Sequence, residues 1–171
     1  MITVISPSKR LNYDPTEVRP VDTPFFGNNA MQLISVLRKK SRPEIASLMN
    51  ISEDLADLNY KRYKSFRRTY TEDNSKPALL AFTGDVYLGL EANDFLKDDI
   101  DFAQKHLRIL SGLYGLLRPM DAMQAYRLEM GSPLENKKGK NLHEFWGDSI
   151  TKELNKLLKD QKQLLQVLFH R

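Results

Sequence analysis

The sequence predicts a mixed α/β (α+β) fold, with residues 1–171 forming a single compact domain whose central sheet is covered by helices. Three observations carry this. Two short apolar runs, Ile2-Thr3-Val4-Ile5 and Ala78-Leu79-Leu80-Ala81-Phe82, have the length and composition of buried, neighbouring strands. Apolar residues recur at helical spacing near residues 31–40, 53–66 and 144–158. The chain has 171 residues, enough for one domain with a sizeable core, and shows no internal repeat.

The first run ends in Ser6-Pro7-Ser8-Lys9-Arg10, where Pro7 forbids further pairing. A hydroxyl-bearing loop with two cations after a strand can seat an oxyanion or phosphate, or can be a solvated turn. Residues 12–29, punctuated by Pro15, Pro20, Pro24 and Gly27, have no period and read as a long surface loop. Met31, Ile34 and Leu37 then share a helix face, followed by Arg38, Lys39 and Lys40, where cations suit the helix dipole. Pro43 fits the first turn of a second helix carrying Ile45, Leu48 and Met49. Ser52 can cap a third, which places Leu55, Leu58, Arg62 and Phe66 near one stripe. Its Lys61, Arg62 and Lys64, with Arg67 and Arg68 beyond, form the densest cationic segment, interleaved with Tyr60, Tyr63, Phe66 and Tyr70. Such cations supply affinity for a nucleic-acid backbone, while the aromatics read as core packing.

The second apolar run opens onto Thr83-Gly84-Asp85-Val86-Tyr87. Gly84 allows a tight turn, Asp85 can cap the next segment, and Tyr87 brings a phenol near a strand end. Asp98-Asp99 caps a further helix with Ile100, Ala103 and Leu107 inside. Whether residues 108–111 continue that helix or form a strand is open, because the run is too short to show a period. After Asp121, Arg127 and Glu129 flank Leu128 at strand-like alternation. Residues 136–140 form a basic turn, and a last helix from near Leu142 carries Phe145, Trp146, Ile150, Leu154 and Leu157.

Residues 105–131 concentrate the chemistry. The pattern Leu110-x-Gly112-Leu113-x-Gly115 fits a helix-hairpin-helix, because the glycines permit positive φ and Leu113 anchors the turn. Amides freed at Gly112, Leu113, Tyr114 and Gly115 would then face phosphate, with Lys105, Arg108 and Arg118 close by. A glycine turn after a buried strand, with no ligand, fits the spacing equally well. A second group of residues sits at the polar ends of apolar runs, where α/β sheets place their sites. It comprises Ser6, Lys9, Asp85, Tyr87, Ser111, Tyr126, Arg127 and Glu129, and forms a candidate cleft.

Composition narrows the classes. Net charge is +4, which suits a polyanionic partner without requiring one. Cysteine is absent, so disulfides, thiolate metal sites and thiol redox sensing are excluded. The three histidines, His106, His143 and His170, are far apart and form no metal motif, so neither a metal nor another cofactor is expected. No run approaches the ~18 apolar residues of a membrane span, and a cytoplasmic location is expected.

The separated motifs Ile5-Ser6-Pro7-Ser8-Lys9, residues 82–90, residues 105–131 and Phe145-Trp146-Gly147-Asp148 together resemble, in order, the YaaA family. These are bacterial proteins associated with resistance to peroxide stress. The resemblance covers residues 1 to about 158. It implies DNA binding through a helix-hairpin-helix, without sequence preference, and a lowering of reactive intracellular iron. Residues 162–171 do not match the continuation expected of the family, so the chain reads as ending early, where the next core strand should begin.

Two functions therefore compete: a DNA-binding peroxide-stress protein, and an enzyme acting on a small phosphorylated or nucleotide substrate. The second lacks any triad or phosphate-loop spacing, so no reaction or catalytic residue is named and a binding role is favoured. Nothing in the sequence speaks to the oligomeric state.

Overall fold

The protein is described here by a computed structural model covering residues 1–159 and 165–168. Its main sheet is built on β1 (Ile2–Ile5), where three of four residues are buried. After β1 a loop leads to the two-residue β2 (Arg10–Leu11), and residues 12–26 run without a helix to α1 (Gly27–Leu37). Helix α1 buries Ala30, Leu33, Ile34 and Leu37, and Arg38–Lys40 lie just past its last turn rather than within it. Ser41 and Glu44 start α2 (Arg42–Met49), the Ser41 N–H donating to Glu44 Oε2 at 2.7 Å.

Helix α3 (Glu53–Ser65) is capped by Ser52, as its sequence predicts, the hydroxyl accepting from Leu55 N–H at 3.4 Å. The buried face, however, is Ala56, Asn59 and Tyr63, continued by Phe66, and not the Leu55–Leu58 stripe. Tyr63 and Phe66 bury far more area than the two leucines, and the Tyr63 hydroxyl donates inside to the Arg127 carbonyl. Leu55 and Leu58 are left on the outside.

The run 78–82 is buried but is not a strand of the main sheet. After β3 (Lys76–Pro77) it makes one helical turn, α4 (Ala78–Ala81), before β4 (Phe82–Thr83). The segment 119–121 holds its amides, Ala78 N–H donating to Asp121 O and Leu79 N–H to Pro119 O. Strand β4 pairs only with β2, in a separate antiparallel ribbon. Gly84, at φ +126°, turns the chain into α5 (Asp85–Leu90), and Asp99 accepts the Leu96 N–H at the start of α6 (Lys97–His106).

The neighbour that β1 takes is β5 (Leu107–Ser111), parallel to it with Thr3 opposite Leu107 and Ile5 opposite Ile109. Strand β6 (Gly115–Leu117) returns antiparallel to β5, and β7 (Ala122–Met123) pairs with β3. The last helix divides at Gly147, φ +45°, into α7 (Leu142–Trp146) and α8 (Ser149–Lys159). Strand β8 (Leu165–Leu168) lies parallel on the other side of β1, giving the order β6-β5-β1-β8. A strand of the main sheet therefore lies within the stretch read as departing from the family.

One core joins these elements: Ile5, Ile109 and Leu117 from the sheet, Leu33 and Leu37 from α1, and Tyr63, Tyr114 and Trp146. Ile109 is fully buried, so Ile109→Val is expected to cost about 0.5–1.5 kcal/mol, read as a lower denaturation midpoint at unchanged slope.

Candidate functional site

The Gly112–Gly115 turn joins two strands, so among the described residues the expected helix-hairpin-helix is replaced by a β-hairpin. Ile109 pairs with Leu117 and Ser111 with Gly115 across it. Its polar groups are used internally: Tyr114 N–H donates to Ser111 Oγ at 2.8 Å, Leu116 N–H to Tyr114 O at 2.9 Å, and Trp146 Nε1–H to Gly112 O at 3.0 Å. Leu113 and Tyr114 are fully buried. A turn with this placement anchors the sheet to α7, and the Tyr114 amide is spent on Ser111 inside the protein.

The cations assigned to the turn are also placed elsewhere. Arg108 is buried and donates to the carbonyls of Gln104 and Leu107, and burial pulls its guanidinium below its ordinary pKa. Arg118 is clamped by Asp121 and Asp22, Nη2 reaching Asp121 Oδ1 at 2.8 Å. Burial pushes the Asp121 carboxyl upward, against the pull of Arg118. Lys105 stands exposed on α6. These seven residues do not form one exposed surface.

The second group comes together differently. Because β1 and β5 are parallel, their C-terminal ends lie on one side of the sheet, the place where α/β sheets bind ligands. The loop after β1 and the extended segment after Tyr126 enclose a cavity of about 320 Å³ there. Ser6, Lys9, Ser111, Tyr126, Arg127 and Glu129 all line it. Asp85 and Tyr87 line an adjoining cavity of about 440 Å³ on the other side of the Ser6–Lys9 loop. Tyr87 ties that loop down, its hydroxyl donating to Ser6 O at 2.8 Å.

Charge gathers at one end of the first cavity. Lys9 Nζ is 3.1 Å from Glu129 Oε2, and Arg127 Nη2 is 3.6 Å from Glu129 Oε1. The Arg127 side chain is 17% exposed, and its Nε is buried without a hydrogen-bond partner. A guanidinium nitrogen left so costs free energy. Ser111 Oγ lies 2.6 Å from Tyr126 OH, and burial keeps that phenol neutral by raising its pKa. The apolar walls, Leu110, Leu128 and Met130 with Pro7, escaped sequence reading. Strand-like alternation puts Leu128 on the face opposite Arg127 and Glu129; Leu128 is buried, but all three line this cavity, and among the described residues the segment pairs with no strand.

Among the described residues no group of three or more His, Cys, Asp or Glu is placed to hold a metal, and His170 lies outside those residues. No helix among them is long and apolar enough to cross a membrane.

Fold and cavity define an α/β protein with a cavity at the ends of parallel strands, lined at one end by Lys9, Arg127 and Glu129. The sequence profile of the peroxide stress protein YaaA family matches residues 1–169, and the chain belongs to that family. It is 53% identical over 168 residues to a UPF0246 protein of Ralstonia pickettii, covering 98% of this chain and 65% of that protein. UPF0246 proteins of Burkholderia multivorans and Burkholderia orbicola are each 50% identical, over 171 and 169 residues. They are covered to 66% and 65% of their length, against 99% and 98% of this chain. The chain thus spans slightly less than two thirds of these curated relatives.

Proposed function

We propose that this chain binds the DNA backbone, in the cytoplasm, within a peroxide defence that lowers reactive iron, and that it seats phosphate in the Lys9–Arg127 cavity. The family supports the stress role. The observation that supports the DNA contact is the buried, unpartnered Nε of Arg127, beside Lys9 and the Ser6 and Ser8 loop at two strand ends. A guanidinium with free donors matches a phosphate oxygen pair, and contacts of this type position a nucleic acid without reading its sequence. Glu129, in contact with both cations, occupies the position that phosphate would take.

The test is duplex DNA binding over a salt series. With Lys9 and Arg127 sharing one phosphate and Arg10 neutralising a second, log affinity should fall against log salt with a slope of about −1.8, whatever the sequence. Glu129→Gln removes the internal anion that competes with phosphate, so affinity should rise several-fold in that variant. A slope near zero, or weaker binding by folded Glu129→Gln protein, would overturn the reading.

The cavity's volume also suits a small phosphorylated or nucleotide substrate, since such pockets begin at about 300 Å³. Against catalysis, the Ser111 hydroxyl is engaged by Tyr114 N–H and Tyr126 OH, neither of which is a base that would activate it.

A further inference from the structure

Resting on that DNA-binding reading, we infer that the same cavity accepts a single unpaired nucleotide of the bound DNA, its phosphate on Lys9 and Arg127 and its base against the apolar walls. A site for backbone alone needs only a charged surface. This one is two-part. Lys9 and Arg127 both contact Glu129, and the three form one polar end. Pro7, Leu110, Leu128, Met130 and the Tyr126 ring supply the apolar part of the lining, and Ser6, Ser8, Ser111 and Gly112 complete it. A ligand matched to both parts carries an anion at one end and a flat, weakly polar body at the other.

The volume of about 320 Å³ suits one nucleotide and excludes a base pair with its two backbones. A paired base cannot reach such walls without leaving the stack, and the cost is least where the base is already unpaired. On the apolar walls the polar side-chain atoms are those of Ser111 and Tyr126, which already satisfy one another at 2.6 Å, while the Ser6 and Ser8 hydroxyls lie on the loop that carries Lys9. Base identity should therefore matter little, as in sites where bases pack on apolar and aromatic surfaces.

The experiment compares three hairpin duplexes of equal length and charge density: fully paired, with a one-nucleotide bulge, and with an abasic bulge. Free deoxyadenosine monophosphate serves as a fourth probe. The bulged duplex should bind about tenfold more tightly than the paired one, and the abasic bulge should lose that gain. Met130→Ser should lose it too. Equal, measurable affinity for all three duplexes would overturn the nucleotide pocket and leave the backbone reading standing. Absence of binding to any duplex would overturn both. Free deoxyadenosine monophosphate binding as tightly as the bulged duplex would overturn the DNA-borne ligand in favour of a free nucleotide.

Discussion

Arg127→Met should lower duplex affinity by about 10- to 150-fold while leaving the protein folded. A hydrogen bond to a charged group contributes about 1.5–3 kcal/mol, and that energy converts to this range. The fold survives because the Tyr63 hydroxyl meets the backbone carbonyl of Arg127, which the substitution keeps. Thermal stability should even rise slightly, since a buried Nε without a partner is replaced by a thioether of similar reach. Arg127→Lys should recover only part of the affinity, because an ammonium lacks the planar fork. Binding titrations beside thermal melts check both halves. Full affinity in Arg127→Met would dismiss Arg127 as a ligand contact.

The largest stability loss is expected at Gly112. A Cβ added there would lie 2.3 Å from the Leu128 carbonyl oxygen and 2.9 Å from the Glu129 carbonyl carbon, both main-chain atoms. Main chain at the wall of a packed core cannot step aside cheaply, so Gly112→Ala should cost roughly 4–5 kcal/mol, at the upper end for single substitutions. For a chain of this size that lowers Tm by about 10–20 °C. Gly115→Val falls in the same class: φ is +70° and its Cβ would meet the Trp146 ring at 2.8 Å. Loss of DNA binding in either variant should track the fraction unfolded, because the added atoms meet main chain and the Trp146 ring. A Gly112→Ala protein with unchanged Tm would contradict this placement.

How much of the fold was legible in the sequence differs from element to element. Ile2–Ile5 was, because β-branched residues bounded by Ser6-Pro7 leave few other conformations. Residues 78–82 were legible as buried but not as a helical turn, since a run with every position inside carries no period. The same limit left Leu107–Ser111 undecided, and with it the hairpin: two glycines three apart serve a turn between strands as well as one between helices. What selects the strands is distant in sequence, the open edge of β1. Of the candidate cleft, the polar members Ser6, Lys9, Ser111, Tyr126, Arg127 and Glu129 could be picked out because they follow apolar runs. Leu110, Leu128 and Met130 could not, because an apolar side chain looks the same whether it fills a core or walls a cavity.

The central position of β1 also has a consequence for synthesis. Thr3 hydrogen-bonds alongside Leu107, and Ile2 lies opposite Leu165, so both neighbours are made long after the strand they flank. At ribosomal rates of about 5–20 residues per second, Ile2–Ile5 waits roughly 5–20 s for its first partner. During that interval four apolar or β-branched residues present two unsatisfied backbone edges. The nascent chain is therefore most open to misassociation before β5 has left the ribosome. Holdase demand, and sensitivity to a slowed elongation rate, should concentrate there.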